Sequence, residues 1–94
     1  MTRYTVHYAG RVQGVGFRYT TVNVAERFAV AGYVQNLPDG RVRLVAEGEA
    51  KELDRFLNAV DQALGRYVQS RQVERGEATG EFGAPAGGML TIRR

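Results

Sequence analysis

Residues 32–47 read Gly32-Tyr-Val-Gln-Asn-Leu-Pro-Asp-Gly-Arg-Val-Arg-Leu-Val-Ala-Glu47. Pro38-Asp39-Gly40 is turn chemistry, because proline presets φ and glycine accepts a positive φ. A short strand, Gly32 to Asn36, enters that turn. Arg41 to Glu47 leaves it with Val42, Leu44 and Ala46 on one side. The pair predicts a β-hairpin with one buried face.

Working outward, the upstream pattern is helical from about Arg18. Phe17, Thr21, Val24, Ala25 and Phe28 share a face, with Glu26 and Arg27 off it. Before it stands a glycine-rich loop, Gly10 to Gly16, and before that Tyr4, Val6 and Tyr8 alternate with Thr5, His7 and Ala9 as a half-buried strand. Downstream, Gly48 breaks the hairpin's second strand. Leu53, Phe56, Leu57, Val60 and Leu64 then recur as the clearest amphipathic helix in the chain, with Gly65 placed to stop it. Tyr67 to Glu77 reads as a strand with thin apolar content, Thr79 to Gly88 as a loop, and Met89 to Ile92 as a short last strand on a sheet edge.

The order is βαββαβ with a possible fifth strand. Right-handed crossovers put both helices on one face of an antiparallel sheet of four to five strands. The expected class is α/β (α+β), a ferredoxin-like sandwich, with residues 1–94 forming a single domain. That architecture hosts many unrelated activities, so function has to come from a site.

Composition narrows the chemistry. There is no cysteine among the 94 residues, which removes disulfides, cysteinyl-phosphate catalysis and cysteine-ligated metals. His7 is the only histidine, which argues against a histidine-rich metal site and a Ser-His-Asp triad. The net charge of +3, carried almost wholly by arginine, favours an anionic ligand modestly. No apolar run approaches membrane-spanning length and no signal peptide is evident, so a soluble cytoplasmic protein with no membrane partner is expected. Asp39, Glu47, Glu49, Glu52 and Asp54 read as solubilising charges.

Two segments carry the chemistry: Gly10-Arg-Val-Gln-Gly-Val-Gly-Phe-Arg18, and the strand ending on Asn36. A glycine-rich loop running into a helix start leaves backbone N–H groups free for an anion, and an arginine beside them adds a fixed charge. Arg18 in the first helical turn opposes the helix dipole unless an anion lies near. Asn36 both donates and accepts, which suits it to hold a water, although asparagine is also an ordinary residue before a turn. A P-loop is excluded because its Lys-Ser/Thr is missing, and Tyr19 stands where the dinucleotide fingerprint needs a third glycine.

Gly-Arg-Val-Gln-Gly-Val-Gly-Phe-Arg, then Gly-Tyr-Val-x-Asn-x-x-Asp-Gly-x-Val, then Glu47-Gly48, together resemble the acylphosphatase signatures in order and spacing over roughly residues 4 to 60. The resemblance implies an enzyme that hydrolyses acyl phosphates to a carboxylate and inorganic phosphate, with no metal or organic cofactor. By position it implies Arg18 as the phosphate-binding arginine and Asn36 as the residue orienting the attacking water. The backbone amides of Arg11, Val12, Gln13, Gly14, Val15 and Gly16 would complete the phosphate cradle.

A small-molecule partner and a monomer are expected, and nucleic acid is disfavoured. The chain departs from the family at Ala29, where glycine is common and a left-handed conformation would cost on the order of 1 kcal/mol. It departs again at Gly65-Arg66 and in the Gly/Ala-rich segment before Met89. The alternatives are an RNA-binding module of the same fold, whose third-strand aromatics are missing here, and a non-catalytic accessory domain.

Overall fold

In the computed structural model, which describes every residue from Met1 to Arg94, strand β1 (Thr2–Gly10) leads through a loop into helix α1 (Phe17–Ala25). The hairpin follows as β2 (Ala31–Asn36) and β3 (Val42–Gly48). Helix α2 (Ala50–Leu64), a single 3-10 turn, β4 (Val68–Glu77) and β5 (Met89–Arg93) complete the chain. The sheet order is β4-β1-β3-β2-β5.

Strand alternation sets which face is covered. Tyr4, Val6 and Tyr8 of β1 lie opposite Ala46, Leu44 and Val42 of β3, and all six are buried. Val34 of β2 joins them opposite Leu44. Against this face pack Phe17, Thr21, Val24 and Ala25 of α1 and Leu53, Phe56, Leu57, Val60 and Leu64 of α2. Each stripe is the one its spacing predicts, so burial of apolar area drives both helices onto the same side.

The ends of the helices differ from the sequence pattern. Helix α1 stops at Ala25, because the N–H groups of Glu26 and Arg27 bond three residues back, to Asn23 and Val24, and tighten the last turn. Phe28 therefore leaves the helix, yet its ring still packs 5.8 Å from that of Phe56. Ala29 carries no left-handed strain, since every positive φ belongs to glycine. Its N–H donates to Glu52 Oε2 at 3.0 Å. Gly65 keeps a right-handed helical conformation (φ −57°) and continues into the 3-10 turn, so it caps α2 without the left-handed stop. Gly32 is required by proximity: a Cβ there would lie 1.8 Å from the carbonyl oxygen of Val45.

One expectation about the sheet is corrected. Strand β5 pairs parallel to β2, so the sheet is mixed at that edge where an antiparallel sheet was expected. The cause is the path of residues 78–88. They leave the end of β4 on one edge and cross to the opposite edge along the same end of the sheet, so β5 starts where β2 starts. On the way the segment covers the face opposite the helices, with Phe82 against Tyr33 at 5.9 Å. Tyr33 and Val45 are consequently buried on the face that alternation assigns to solvent.

Glu47 is what catches this crossing, and it is not the solubilising charge the sequence suggested. Only 2 % of it is exposed. Its carboxylate accepts the N–H of Thr79 at 2.8 Å, the Thr79 hydroxyl at 3.0 Å, the N–H of Gly80 at 3.0 Å and the Arg3 guanidinium at 3.1 Å. Asp54 and Glu52 are structural as well: Asp54 accepts the Tyr4 hydroxyl at 2.7 Å, and Glu52 holds Ala29.

Burial alone raises the Glu47 pKa, but the Thr79 and Gly80 N–H groups and Arg3 outweigh it and hold the carboxyl below the usual glutamate range. Because the folded value is depressed, its stabilisation is complete above the unfolded glutamate pKa of about 4.3 and is lost as pH falls through the folded value. Glu47→Ala leaves buried donors without an acceptor, with an expected loss of about 3 kcal/mol in urea unfolding at pH 7. That deficit should shrink steadily in titrations below pH 4.3, a threshold that is about the unfolded value. A deficit unchanged by pH would contradict the assignment.

Candidate active site

Both β1 and β2 run antiparallel to β3, so the end of β1 at Gly10, the end of β2 at Asn36 and the start of β3 at Val42 lie together at one end of the sheet. Asn36 faces Val42, and Val42 faces Tyr8. Asn36 therefore belongs to the helix-covered face, half-buried at its margin.

The loop from Arg11 to Gly16 crosses this end and is pinned at four points. Arg11 N–H donates to Tyr67 O at 2.9 Å. Val12 is fully buried. Gln13 Nε2 donates to Leu37 O at 2.8 Å and to Arg41 O at 3.0 Å, tying the loop to both sides of the hairpin turn. Phe17 is buried with its ring 5.0 Å from that of Tyr8, and its carbonyl accepts the Thr21 hydroxyl at 2.8 Å. Gly14 and Gly16 take φ of 78° and 76°. A Cβ at either would meet nothing within 4 Å, so the left-handed backbone, and not lack of room, calls for glycine there.

These pins leave the loop's donors free. No N–H from Val12 to Tyr19 gives a hydrogen bond to a protein acceptor; the first to do so is Thr20, to Gly16 O at 3.0 Å. The Arg11 N–H is not free in this way, because Tyr67 O accepts it.

Arg18 follows Phe17 in the first turn of α1, half-buried, and joins none of the ion pairs, which involve Arg3, Arg41, Arg55 and Arg71. Asn36 uses its backbone in the β2–β3 ladder while its side-chain amide bonds no protein group. The loop with its free amides, the first turn of α1 with an unpaired guanidinium and the end of β2 with an uncommitted carboxamide belong to the same end of the sheet. Such a set can hold a tetrahedral oxyanion by charge-assisted hydrogen bonds and orient a small polar molecule beside it.

The Gln13 side chain is a tether between loop and hairpin. No spacing rule points to that role, since the contact depends on how two distant turns meet. Tyr8 is fully buried with no partner for its hydroxyl, and burial pushes the phenol up. His7 stands apart on the opposite sheet face, accepting Arg43 Nε–H at Nε2 across 3.2 Å. Burial, reinforced by Arg41 and Arg43, holds its pKa below the ordinary histidine value. The largest cavity, about 540 Å³, lies at the far end of the sheet around Glu47, Thr79 and Pro85, and no residue of the loop lines a cavity.

Sheet order, helix placement and loop define a small α+β domain of ferredoxin-like type with a donor-rich strand–loop–helix corner. Residues 4–84 match the acylphosphatase family model. The chain is 53% identical over 73 residues to an acylphosphatase of Archaeoglobus fulgidus, covering 73% of this chain and 82% of the relative. It is 54% identical over 79 residues to that of Rubrobacter xylanophilus, covering 83% and 72%. The crystal structure of the Bacillus subtilis acylphosphatase superposes with a TM-score of 0.83 at 32% identity, covering all of both chains. The chain belongs to the acylphosphatase family, and its activity is the hydrolysis of acyl phosphates.

Gln13 offers a direct check on the corner's geometry. Gln13→Ala removes two exposed hydrogen bonds, so its stability should stay within about 1 to 2 kcal/mol of wild type. Acyl phosphate hydrolysis should nevertheless fall about tenfold or more in kcat/KM, because the loop and the hairpin lose their common register. Unchanged kinetics in a folded variant would show that the tether is irrelevant to the reaction.

Proposed function

We propose that the phosphoryl group of an acyl phosphate sits in the loop, held by the N–H groups of Val12, Gln13, Gly14, Val15 and Gly16 and clamped by Arg18, with Asn36 orienting the attacking water. The observation that carries this reading is the run of uncommitted amides immediately before an arginine that has no carboxylate partner. The macrodipole of α1 adds positive potential at the same place. Arg18, which opposes that dipole in the free protein, gains from it indirectly once a dianion neutralises the corner.

The chemistry asks little else of the protein. Attack of water on phosphorus breaks the bond to the bridging oxygen, and the carboxylate departs with its electron pair without needing a proton. Charge spreads over the equatorial phosphoryl oxygens, where preorganised donors act. Asn36 holds the water by accepting a hydrogen bond from it at the amide oxygen, which leaves a lone pair of the water facing phosphorus. An amide cannot take the proton, and the carboxylate of the adjoining turn, Asp39, accepts the N–H and Nε–H of Arg41, so in this reading the proton passes to a phosphoryl oxygen of the substrate. No step calls on a metal or an organic cofactor. The reading extends to one domain over residues 1–94, acting as a monomer in the cytoplasm, a setting that suits a chain without cysteine.

Arg18→Ala and Asn36→Ala should each lower kcat/KM for benzoyl phosphate by about 10²–10³-fold while unfolding at wild-type urea concentrations. Arg18→Lys should recover only part of the loss, since an ammonium cannot make the planar two-point contact. Wild-type rates should be the same with and without EDTA, and near-normal turnover by either alanine variant would overturn the assignment. If the substrate is its own base, kcat should show no ionisation of an enzyme group on the acid limb.

A further inference from the structure

A groove of about 460 Å³ runs between α2 and β4, away from the loop corner. It exists because β4 is an outer strand of the sheet, and only Val68 and Val73 among its side chains are half-buried. That volume is in the usual range for a small-molecule site.

Register builds one wall. Tyr4, Val6 and Tyr8 of β1 lie opposite Arg75, Val73 and Arg71 of β4. Directly opposed residues share a face of the sheet, so the three β4 side chains lie on the helix side. The other wall is α2, where Asp54 and Asp61 stand about two turns apart. Asp54 accepts the Tyr4 hydroxyl at 2.7 Å, and Asp61 accepts Arg71 Nη1–H at 2.6 Å. These two ties bridge helix and sheet at separate points. Leu57 and Val73 add apolar lining to the groove.

Two polar groups of the lining are uncommitted. Arg75 joins none of the ion pairs, and its guanidinium lies over the Tyr4 ring, 5.0 Å from the centroid. An arginine held on an aromatic face keeps its planar N–H edge for a carboxylate. The side-chain hydrogen bonds of α2 are made by Glu52, Asp54, Arg55 and Asp61, which leaves the Asn58 carboxamide free. An exposed arginine alone calls for no ligand. Here it shares a bounded groove with a free amide donor and apolar side chains, whereas the carboxylate beside the larger cavity, Glu47, is already saturated.

We propose that this groove binds a small organic carboxylate at a second site, independent of the phosphate loop. Arg75 pairs with the carboxylate, Asn58 donates to it, and the organic body rests against Leu57 and Val73. One free guanidinium balances a single negative charge, whereas a phosphate dianion would meet Asp54 in the same groove with its second charge uncompensated. A carboxylate is also what acyl phosphate hydrolysis releases, which makes benzoate the natural probe.

The test is a titration of the ¹⁵N-labelled protein with sodium benzoate at constant ionic strength, followed by amide and side-chain NMR shifts. Saturable shifts are expected at Leu57, Val73, the Asn58 carboxamide and Arg75 Nε–H. Arg75→Gln and Asn58→Asp, both at exposed positions, should each weaken binding about tenfold or more while the spectrum stays that of the folded protein. Acetate, with little apolar body, should bind several-fold more weakly than benzoate. Shifts confined to Val12 to Tyr19, a benzoate titration unaltered in Arg75→Gln, or acetate binding as tightly as benzoate would each overturn the groove site. Arg18→Ala should leave the benzoate titration of the groove unchanged, so failure of the phosphate site and failure of this one are read separately.

Discussion

Strand β3 is paired along its length on both sides, to β1 and to β2, and this double antiparallel pairing is the constraint on which the rest depends. It makes β1 and β2 parallel to each other, so the loop after the first and the asparagine ending the second emerge at the same end. Two segments separated by a helix and a strand are thereby brought to one corner without any direct pairing between them. Gly32 allows this register, because any larger residue would collide with the Val45 carbonyl. Gln13 then fixes the last degrees of freedom between the loop and the hairpin turn.

The two ends of the sheet divide the work. At one, backbone donors have no protein partner and Arg18 no counter-charge, which is what the proposed phosphate site would use. At the other, donors and acceptors are saturated: Glu47 alone accepts from Thr79, Gly80 and Arg3, and Arg3 also binds Glu81. The contrast in satisfaction separates the proposed binding corner from a structural staple more clearly than cavity size does, since the largest cavity lies beside the staple.

Most of this fold was legible in the sequence because it follows local rules. The stripe of α2, the alternation of β1, the Pro-Asp-Gly turn and the loop glycines each state their conformation directly. What was not legible depends on where distant segments meet. Nothing in the spacing of Glu47 shows that residues 78–88 cross the sheet above it, so a buried, fourfold-bonded carboxylate reads as a surface charge. The parallel pairing of β5 follows from that same crossing and was hidden with it. At the site, Arg18 and Asn36 stood out by type and position. The commitment of the Arg11 N–H to Tyr67 and the tether made by Gln13 depend on tertiary contacts alone.

The central claim is that the amides following Arg11, together with Arg18 and Asn36, receive the phosphoryl group. The most direct measurement is a titration of the ¹⁵N-labelled protein with inorganic phosphate, followed by amide and side-chain NMR shifts. The account predicts saturable shifts at Val12 to Tyr19, the Arg18 guanidinium and the Asn36 carboxamide, with Arg11, Thr79 and Gly80 left in place. Shifts centred on the Arg71 and Arg75 side of β4, or no saturable shift in the loop, would contradict it.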